Sequence, residues 1–517
     1  MEPLVLTFDV GTQSLRAILV RKDGTFLDAE RVKYAEPYYS TGEFRAEQRP
    51  RFYYECLVKA SNAVLARNPE AKEGIRCVTV TTFRDSVLCL DENMEPVGDM
   101  IHWLDKREAD YEPSKIPAAY KALFALVGMT DTIEYQYRDA HCNWIMQKDP
   151  ERWAKTRHFV YIGAYLVWLL TGELCDSCAS TVGHMPYDYK KRAWMKKSGL
   201  TYSVYAVPRE KLCEVKEPGE VLGRITARAA AECGIPEGLP LIGTASDKAC
   251  ETVGLSVRRP GAAALSFGTA ATVQIVTDRY VEPAPFLPAY PSPIPGRYHA
   301  ELQIYRGYWM LTWFIREFCE KERLEALERG IRTERVMDEH LAQVPAGSGG
   351  LLVQPYWTPG VATPNARGSM VGFTDRQNKY YLYRALIEGL NFELMEGLRG
   401  LEKQSGTRVT ELWAAGGGSR SPEILQITAD MFGLPVKLIQ TPEASGLGSA
   451  MAGFVAMGEF ADFDEATAAF DAFATDEANT NSYLKLTAQL GAVRCLTQGG
   501  DKKAALARIE TLKAANK

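Results

Sequence analysis

The sequence predicts an α/β protein with two domains of related architecture that face each other across a cleft. A strand, a short turn with glycine and a second strand occur around Gly11, and the same pattern returns half a chain later around Gly268. Strand-like and helix-like runs alternate along much of the remaining chain, which favours the α/β class. One such hairpin in each half indicates two similar domains that share a cleft.

The composition is that of a globular protein with enough residues for two large domains. The 517 residues are 46% apolar and 24% charged, which excludes disorder, collagen and coiled coil as the overall class. The 60 Lys and Arg against 65 Asp and Glu give a net charge of −5. A non-specific nucleic-acid binder needs a basic footprint, so we expect no nucleic-acid partner.

The lack of a recognisable targeting or membrane-spanning segment, together with the cysteine content, predicts a cytoplasmic protein that does not bind membranes. No run reaches the roughly 18 apolar residues of a membrane span. The first residues lack the basic n-region of a secretory signal. Eleven cysteines, an odd number, are typical of reduced thiols. The isolated pair Cys175 and Cys178 has no second pair and no adjacent histidine, which disfavours a zinc or redox role.

The predicted domains are residues 1–256 and 257–480, followed by a polar helical tail over residues 481–517. The first domain opens with three antiparallel strands, the third of which ends near Tyr34. A Rossmann unit would place a helix after its first strand. The junction between the domains falls in residues 254–261, which are rich in Gly, Arg and Pro.

Three segments of the second half have predictable conformations. Residues 283–295 contain six prolines, which predicts an extended loop. Leucines recur at helical spacing over residues 382–401 and predict one long amphipathic helix. Residues 446–458 read as a helix rich in Gly, Ala and Ser, which can lie close to whatever it packs against.

The first hairpin has the residue types that phosphate and Mg²⁺ binding require. Such a site needs unobstructed backbone N–H groups, hydroxyl donors and a carboxylate for the metal. These needs are met by Asp9 for the metal and by Thr12, Ser14 and Arg16 for the phosphates. An ordinary polar hairpin is the alternative interpretation. The recurrence of the pattern at Gly268 and Thr269 favours phosphate binding.

A run of three glycines, Gly416-Gly417-Gly418, lies between a predicted strand and a predicted helix. Ser421 is expected to cap that helix, which would end at Gly433. A glycine loop at a helix entry can accept an adenosine edge-on or a phosphate. The spacing is not the Gly-x-Gly-x-x-Gly of a dehydrogenase, and the chain has no Walker A loop in a suitable context.

Four further residues are candidates for the acceptor side of a phosphoryl transfer. Asp247 follows an apolar strand and could act as general base toward an attacking hydroxyl, or could simply cap the next helix. Arg84 and Asp85 end another strand, where they could grip vicinal hydroxyls or form a surface ion pair. Trp103 could wall a polyol site or fill a core.

The order of these motifs resembles that of the FGGY carbohydrate kinases, the group containing glycerol kinase, xylulokinase, ribulokinase and autoinducer-2 kinase. The resemblance extends over about residues 4–460. The segments that carry it are residues 9–16, 83–86, 103–107, 243–247, 266–269, 416–418 and 444–450.

The resemblance implies two actin-like (ribonuclease-H-like) domains that close on ATP, Mg²⁺ and a small sugar or polyol. It makes Asp247 the general base and places Asp9 near the metal. The implied phosphate contacts are Thr12, Gln13, Ser14, Arg16, Gly268 and Thr269. The implied adenosine contacts are Gly416, Gly417 and Ser421, and the implied sugar contacts are Arg84, Asp85, Trp103 and Asp247. Because related kinases are often dimers, a homodimer is compatible with the family.

The sequence departs from the family pattern mainly on the sugar side. His141 stands where a lysine is expected, and Lys248 follows Asp247 where Gln or Asn is common. Asp85 is one methylene shorter than the usual glutamate. These changes leave the kinase assignment intact and leave the identity of the sugar open.

The leading hypothesis is in-line transfer of the γ-phosphoryl group of MgATP to a hydroxyl of a small ketose, such as xylulose, or of a polyol. One alternative is an actin-like nucleotide switch that phosphorylates no sugar. Another is a catalytically silent sugar sensor. The joint presence of Asp9, Thr12, Asp247 and Thr269 favours the kinase, and acceptor-dependent ATP turnover separates the hypotheses.

Overall fold

The structure is a computed structural model that describes residues 2–475, apart from positions 286, 359, 361, 362, 364, 440 and 442. The predicted tail, residues 481–517, lies outside the described residues. Across the described part, strands and helices alternate, and the strands form two six-stranded sheets and several smaller ones.

Strands and helices of the first half have the following bounds. The strands are β1 (Leu4–Val10), β2 (Ser14–Arg21), β3 (Phe26–Lys33), β4 (Glu47–Gln48), β5 (Ile75–Thr82), β6 (Val87–Leu90), β7 (Met100–Ile101), β8 (His158–Tyr161), β9 (Cys175–Ser177), β10 (Tyr187–Asp188), β11 (Ala193–Trp194), β12 (Glu214–Lys216), β13 (Val221–Arg224) and β14 (Pro240–Ile242). The helices are α1 (Phe52–Arg67), α2 (Ala118–Leu126), α3 (Thr130–Asp139), α4 (His141–Lys148), α5 (Pro150–Lys155), α6 (Ile162–Thr171), α7 (Leu200–Val204), α8 (Ala227–Cys233) and α9 (Asp247–Gly254).

Elements of the second half follow in the same alternating manner. The strands are β15 (Ala262–Phe267), β16 (Ala271–Thr277), β17 (Tyr290–Pro291), β18 (Tyr298–Ile304), β19 (Leu352–Gln354), β20 (Ser369–Val371), β21 (Glu411–Ala415) and β22 (Val436–Lys437). The helices are α10 (Trp309–Phe318), α11 (Glu320–Glu328), α12 (Thr333–Leu341), α13 (Lys379–Ser405), α14 (Pro422–Phe432), α15 (Ala444–Ala456) and α16 (Phe463–Thr475).

The first large sheet has the strand order β13-β14-β5-β1-β2-β3. Strands β1, β2 and β3 are antiparallel neighbours, whereas β5 and β14 run parallel to β1. All seven residues of β1 are buried, as expected for a strand covered on both faces of a sheet. The register sets Asp9 opposite Arg16, so the turn between β1 and β2 holds both charges at one end of the sheet.

The second large sheet repeats this arrangement with the order β17-β18-β16-β15-β21-β22. Strands β15, β16 and β18 are antiparallel, and β21 and β22 run parallel to β15. Three antiparallel strands followed by two parallel ones define the ribonuclease-H-like, or actin-like, fold. The predicted fold class, two such domains about a cleft, is therefore confirmed.

Two helices, α9 and α15, cross between the halves with their backbones in contact. Helix α15 belongs to the second half of the chain but packs on β1 and β5 of the first sheet, where Gly453 lies against Cys77 and Thr79. A Cβ atom added to Gly448 would lie 2.0 Å from the carbonyl oxygen of Cys250 on α9. The prediction that this small-residue helix lies close to its neighbour is confirmed.

Other local predictions are also confirmed. Helix α13 spans the leucine pattern and buries it in the core of the second half. The Ser421 side chain accepts the backbone N–H of Ile424, and Gly433 ends α14 in the left-handed conformation with φ of 64°. The proline-rich loop is irregular in its described residues except for β17, a two-residue edge strand of the kind proline tolerates.

The described part of the chain has neither a helix fit to span a membrane nor a cluster of metal-ligating side chains. No helix there has the length and apolar character that crossing a membrane requires. Cys175 and Cys178 are buried free thiols, and no group of three or more His, Cys, Asp or Glu side chains among the described residues could hold a metal ion.

A buried carboxylate in the first half makes stability depend on pH. Burial raises the pKa of Asp176 from 3.8 to about 7, against backbone hydrogen bonds from Ser177 and Ala164 that lower it. Between these pKa values the folded chain holds a proton that the unfolded chain has released, so the free energy of unfolding falls as pH rises from about 4 to about 7. We expect Asp176→Asn to reduce the difference in the free energy of unfolding between pH 4.5 and pH 8 by on the order of 2–4 kcal/mol. Urea unfolding at the two pH values measures this difference.

The matched control for this prediction is Asp278→Asn, which removes a carboxylate that is 64% exposed. The control should keep the pH dependence of the unmodified protein. An equal pH dependence in Asp176→Asn and the unmodified protein would show that Asp176 stays ionised in the fold.

Candidate active site

The turn between β1 and β2 forms the first part of the site. Its backbone closes through a 3.1 Å hydrogen bond from the Gly11 N–H to the Ser14 carbonyl. Arg16 binds two carboxylates, Asp9 at 3.2 Å and Glu443 at 2.6 Å. Thr12 is half-buried and Gln13 is exposed, so their polar groups can reach a ligand in the cleft.

Asp9 has the properties expected of a metal ligand. The carboxyl is buried, and burial raises its pKa to about 7; Arg16 opposes this shift, whereas Asp247, Glu443 and Glu251 add to it. A bound divalent cation would offset this excess of negative charge. Mg²⁺ is commonly held by one or two carboxylates together with substrate phosphates and water, so a single protein carboxylate fits this metal.

The second hairpin and the glycine loop pack against each other on the opposite side. A Cβ atom on Gly416, whose φ is 92°, would lie 2.7 Å from the carbonyl carbon of Phe267, and one on Gly418 would lie 2.5 Å from the Tyr308 ring. The backbone N–H of Tyr308 also donates to the carbonyl of Gly268 at 3.1 Å. The predicted phosphate residue Gly268 and the predicted adenosine loop are therefore neighbours, and Thr269 is exposed beside them.

Ser421 closes the glycine loop with a side chain that is fully engaged. Its hydroxyl donates to Asp338 at 2.6 Å and accepts from the N–H of Ile424 at 3.2 Å. Burial raises the pKa of Asp338 to about 6, and the hydrogen bond from Ser421 lowers it. The hydroxyl thus stabilises the entry to α14 and a buried carboxyl, and the prediction of an adenosine contact rests on the position of the residue in the loop.

Removing this hydroxyl tests both roles. We expect Ser421→Ala to lower the free energy of unfolding by about 1–2 kcal/mol, because a cap and the donor to Asp338 are lost. We also expect a severalfold rise in the KM for ATP, because the loop loses its anchor. The matched control is Thr226→Ala, which removes the cap of α8 in the other half. If both variants lose stability and neither changes the KM for ATP, Ser421 is a cap only.

Asp247 begins α9 at the inner end of the first sheet. Burial raises the pKa of its carboxyl, against the opposing effects of Lys248 and Arg84. One carboxylate oxygen accepts the N–H of Lys248 at 2.7 Å. The carboxyl therefore takes part in the helix start, and its raised pKa makes it a stronger base than an ordinary aspartate carboxylate.

Lys248, directly after the predicted general base Asp247, links the start of α9 to the second sheet. Its ammonium group donates to Glu251 at 2.6 Å and to the hydroxyl of Ser266 at 2.9 Å, and Ser266 in turn donates to Glu251 at 3.0 Å. Ser266 lies on β15, directly before the second phosphate hairpin. The lysine that departs from the family pattern is thus a bridge between the two halves of the site.

The structure brings Arg84 into the cleft but separates its function from that of Asp85. Arg84 forms an ion pair with Glu301 of β18, across the cleft. Asp85, held at a positive φ of 56°, accepts from the backbone N–H of His184 at 3.0 Å and pairs with the His184 ring at 2.7 Å. The two residues therefore have different partners, and the surface ion pair considered from the sequence does not form.

Trp103, a predicted sugar contact, is hydrogen-bonded to Thr12, a predicted phosphate contact. Its indole Nε1–H donates to the hydroxyl of Thr12 at 3.1 Å, and its backbone N–H donates to Ser86 at 2.9 Å. The ring is only half-buried, so one face can still wall a ligand.

Four polar residues complete the site without having been predicted. They are His184, Glu251, Glu301 and Glu443. Glu251 lies one helical turn after Asp247 on the same face of α9, a spacing that could have identified it. The other three reach the site through tertiary contacts, and their sequence surroundings contain no comparable signal.

Two ribonuclease-H-like domains, each with a strand–turn–strand hairpin in its sheet, define an actin-like architecture. The model of the FGGY family of carbohydrate kinases matches the chain with its N-terminal domain over residues 4–254 and its C-terminal domain over residues 263–457. The chain belongs to the FGGY family of carbohydrate kinases. It is an ATP-dependent sugar or polyol kinase that uses ATP with Mg²⁺.

Individual relatives are similar over most of their length. An autoinducer-2 kinase of Yersinia enterocolitica is 28% identical, over 89% of this chain and 88% of the relative. A gluconokinase of Bacillus subtilis is 25% identical, over 90% of each chain. The crystal structure of a ligand-bound xylulose kinase from Lactobacillus acidophilus superimposes with a TM-score of 0.75 at 20% identity, covering 96% of this chain and 98% of that one.

Proposed function

We propose that this kinase transfers the γ-phosphoryl group of ATP to a hydroxyl of a small ketose, such as xylulose or a related sugar, or of a polyol. The observation that carries the proposal is the joint placement of Asp9, Asp247 and Arg84 at the cleft. The charge of Asp247 raises the pKa of Asp9, and the charge of Arg84 lowers the pKa of Asp247, so the three groups lie within electrostatic range of one another.

Each residue has a defined task in the proposed mechanism. Asp247 accepts the proton of the attacking hydroxyl, a task for which its raised pKa is suited. The phosphate groups are held by Thr12, Gln13, Ser14 and Arg16 of one hairpin and by Gly268 and Thr269 of the other. Adenosine lies against Gly416, Gly417 and the start of α14 at Ser421. Positioning by these groups supplies much of the catalysis in phosphoryl transfer.

The sugar is proposed to lie between Arg84, Asp85 and Trp103. Arg84 donates to hydroxyl oxygens, and the free face of Trp103 packs on the carbon skeleton. Asp9 would hold Mg²⁺, which when bound neutralises charge on the phosphates. Closure of the two domains would exclude water and so limit futile hydrolysis of ATP.

The test is ADP release by the purified protein with MgATP in a panel of polyols, ketopentoses, tetruloses and deoxyketoses. Wells without acceptor and the Asp247→Asn variant are the controls. We expect one acceptor to raise ADP release and the substitution to abolish the increase. ADP release at the acceptor-free rate in every well, with ATP still bound, would favour the nucleotide switch or the silent sensor.

Two further features are proposed together with this function. The chain is compatible with a monomer or a homodimer, and light scattering of the purified protein distinguishes the two. We also propose a cytoplasmic location, because the reaction consumes ATP and because the ten cysteines of the described residues are free thiols, as in a reducing compartment.

A further inference from the structure

Two cations and one histidine ring on the acceptor side of the cleft each pair with a carboxylate. The pairs are Arg84 with Glu301, Lys248 with Glu251, and His184 with Asp85. His184 has a second carboxylate, Asp139, at 4.0 Å from its other ring nitrogen. Asp247 adds a further negative charge, so carboxylates exceed cations around the proposed acceptor site.

The remaining histidines near these groups do not supply a positive charge. Burial lowers the pKa of His141, and burial lowers that of His299 to about 4. Both rings are therefore neutral at physiological pH. Among the described residues that contact Arg84, Asp85 or Lys248, none is an unpaired cation that could receive a carboxylate of a substrate.

Glu301 presents one oxygen of its carboxylate without a partner. Its Oε1 accepts from Arg84, whereas its Oε2 is buried and has no hydrogen-bond partner among the described residues. The neutral His299 ring lies 3.9 Å from Oε2, too far for a hydrogen bond. Although burial alone raises the pKa of Glu301, the charge of Arg84 and its hydrogen bond hold it below its usual value, so the group is ionised. A buried carboxylate oxygen without a donor is unfavourable, and a hydroxyl of a bound ligand would satisfy it.

The proline-rich loop helps to hold this ion pair in place. Tyr290 of the loop packs with its ring centre 5.8 Å from the guanidinium carbon of Arg84. The same ring contacts Tyr189 edge-on at 5.0 Å between ring centres. Arg84 is thus fixed between Glu301 and Tyr290, both supplied by the second half of the chain.

We propose that Glu301 is an acceptor-binding residue that makes this kinase select uncharged acceptors. Its Oε2 accepts a hydrogen bond from an acceptor hydroxyl, and its charge rejects an acceptor that carries a carboxylate. This inference rests on the proposed function and narrows its substrate class to polyols and ketoses, excluding aldonates. An aldonate carboxylate bound by the remaining donors of Arg84 would lie beside the Glu301 carboxylate, and such a contact between like charges is strongly disfavoured.

The test compares acceptors that differ only in a carboxylate: glucitol with gluconate, and xylitol with xylonate. Consider each pair whose neutral member the unmodified protein phosphorylates. We expect kcat/KM for that neutral acceptor to be at least about 100-fold higher than for the corresponding aldonate, because an uncompensated like charge is strongly disfavoured. Glu301→Gln keeps the shape of the side chain but removes its charge. It should lower the ratio of kcat/KM for the neutral acceptor to kcat/KM for the aldonate by about 10-fold or more, mainly by raising the KM for the neutral acceptor. The KM for ATP should not change.

The matched control is Glu411→Gln, which breaks an ion pair with Lys437 on the same sheet outside the cleft. It should leave the acceptor ratio unchanged. A preference of the unmodified protein for the aldonate would overturn the inference while leaving the proposed kinase function intact. The same ratio in Glu301→Gln and Glu411→Gln, with equal thermal unfolding, would also overturn it. Absence of ADP release with every acceptor would instead contradict the proposed function itself.

Discussion

Asp247→Asn lowers the acceptor-dependent kcat by about 10²- to 10⁴-fold, the range that a general base contributes. Asparagine has nearly the same shape and can still accept the N–H of Lys248, so the start of α9 should be preserved. What is lost is the ability to take the proton of the attacking hydroxyl. The measurement is ADP release at saturating acceptor, together with the affinity for MgATP, which should change little.

The matched control for this variant is Asp278→Asn, in which the removed carboxylate lies on the surface. The control should retain full activity. If Asp247→Asn keeps more than about a tenth of the activity at saturating acceptor, proton transfer to Asp247 does not limit the reaction and the residue serves the helix start.

Gly448→Ala lowers the free energy of unfolding by about 3 kcal/mol or more. The added Cβ would lie 2.0 Å from the carbonyl oxygen of Cys250 and 2.8 Å from the backbone nitrogen of Gly254. Both are backbone atoms, so α9 and α15 must separate. The expected result is a lower midpoint of urea unfolding with an unchanged slope.

Gly400→Ala provides the control for this substitution. Gly400 lies inside α13, and a Cβ atom added there meets nothing within 4 Å. The same change should therefore raise the free energy of unfolding by about 0.5–1 kcal/mol, because alanine favours the helix. Equal effects of the two substitutions would show that the crossing of α9 and α15 has more room than the structure indicates.

Local patterns were sufficient to predict the parts of the site that lie within one continuous segment. The turn at Gly11 and its repeat at Gly268 follow from apolar runs separated by short polar turns, a signal contained in neighbouring residues. The cap at Ser421 and the end of α14 at Gly433 follow from residue types with known preferences for these positions. Asp9 lies near the end of β1, as its segment predicted, whereas Asp247 lies beyond β14 as the first residue of α9.

The pairing of charges across the cleft could not be predicted in this way. Arg84 and Asp85 are adjacent in sequence, which favoured a joint grip on one substrate or a mutual ion pair. In the structure Asp85 pairs with His184, whereas Arg84 forms an ion pair with Glu301. Both partners lie far away in the chain. His184 approaches Asp85 through packing within the first half, whereas Glu301 approaches Arg84 only through the orientation of the second sheet relative to the first.

The sequence by itself determined the family, the duplicated ribonuclease-H-like fold and the identity of the candidate phosphate residues, because these depend on short motifs with local conformational preferences. The tertiary structure decided which sheet α15 packs against and which carboxylate each cation of the acceptor side binds. Backbone contact of α9 with α15 and the ion pair of Arg84 with Glu301 arise only when the two halves close on each other. Close packing and electrostatic pairing act between atoms that are near in space, and sequence spacing does not encode that proximity.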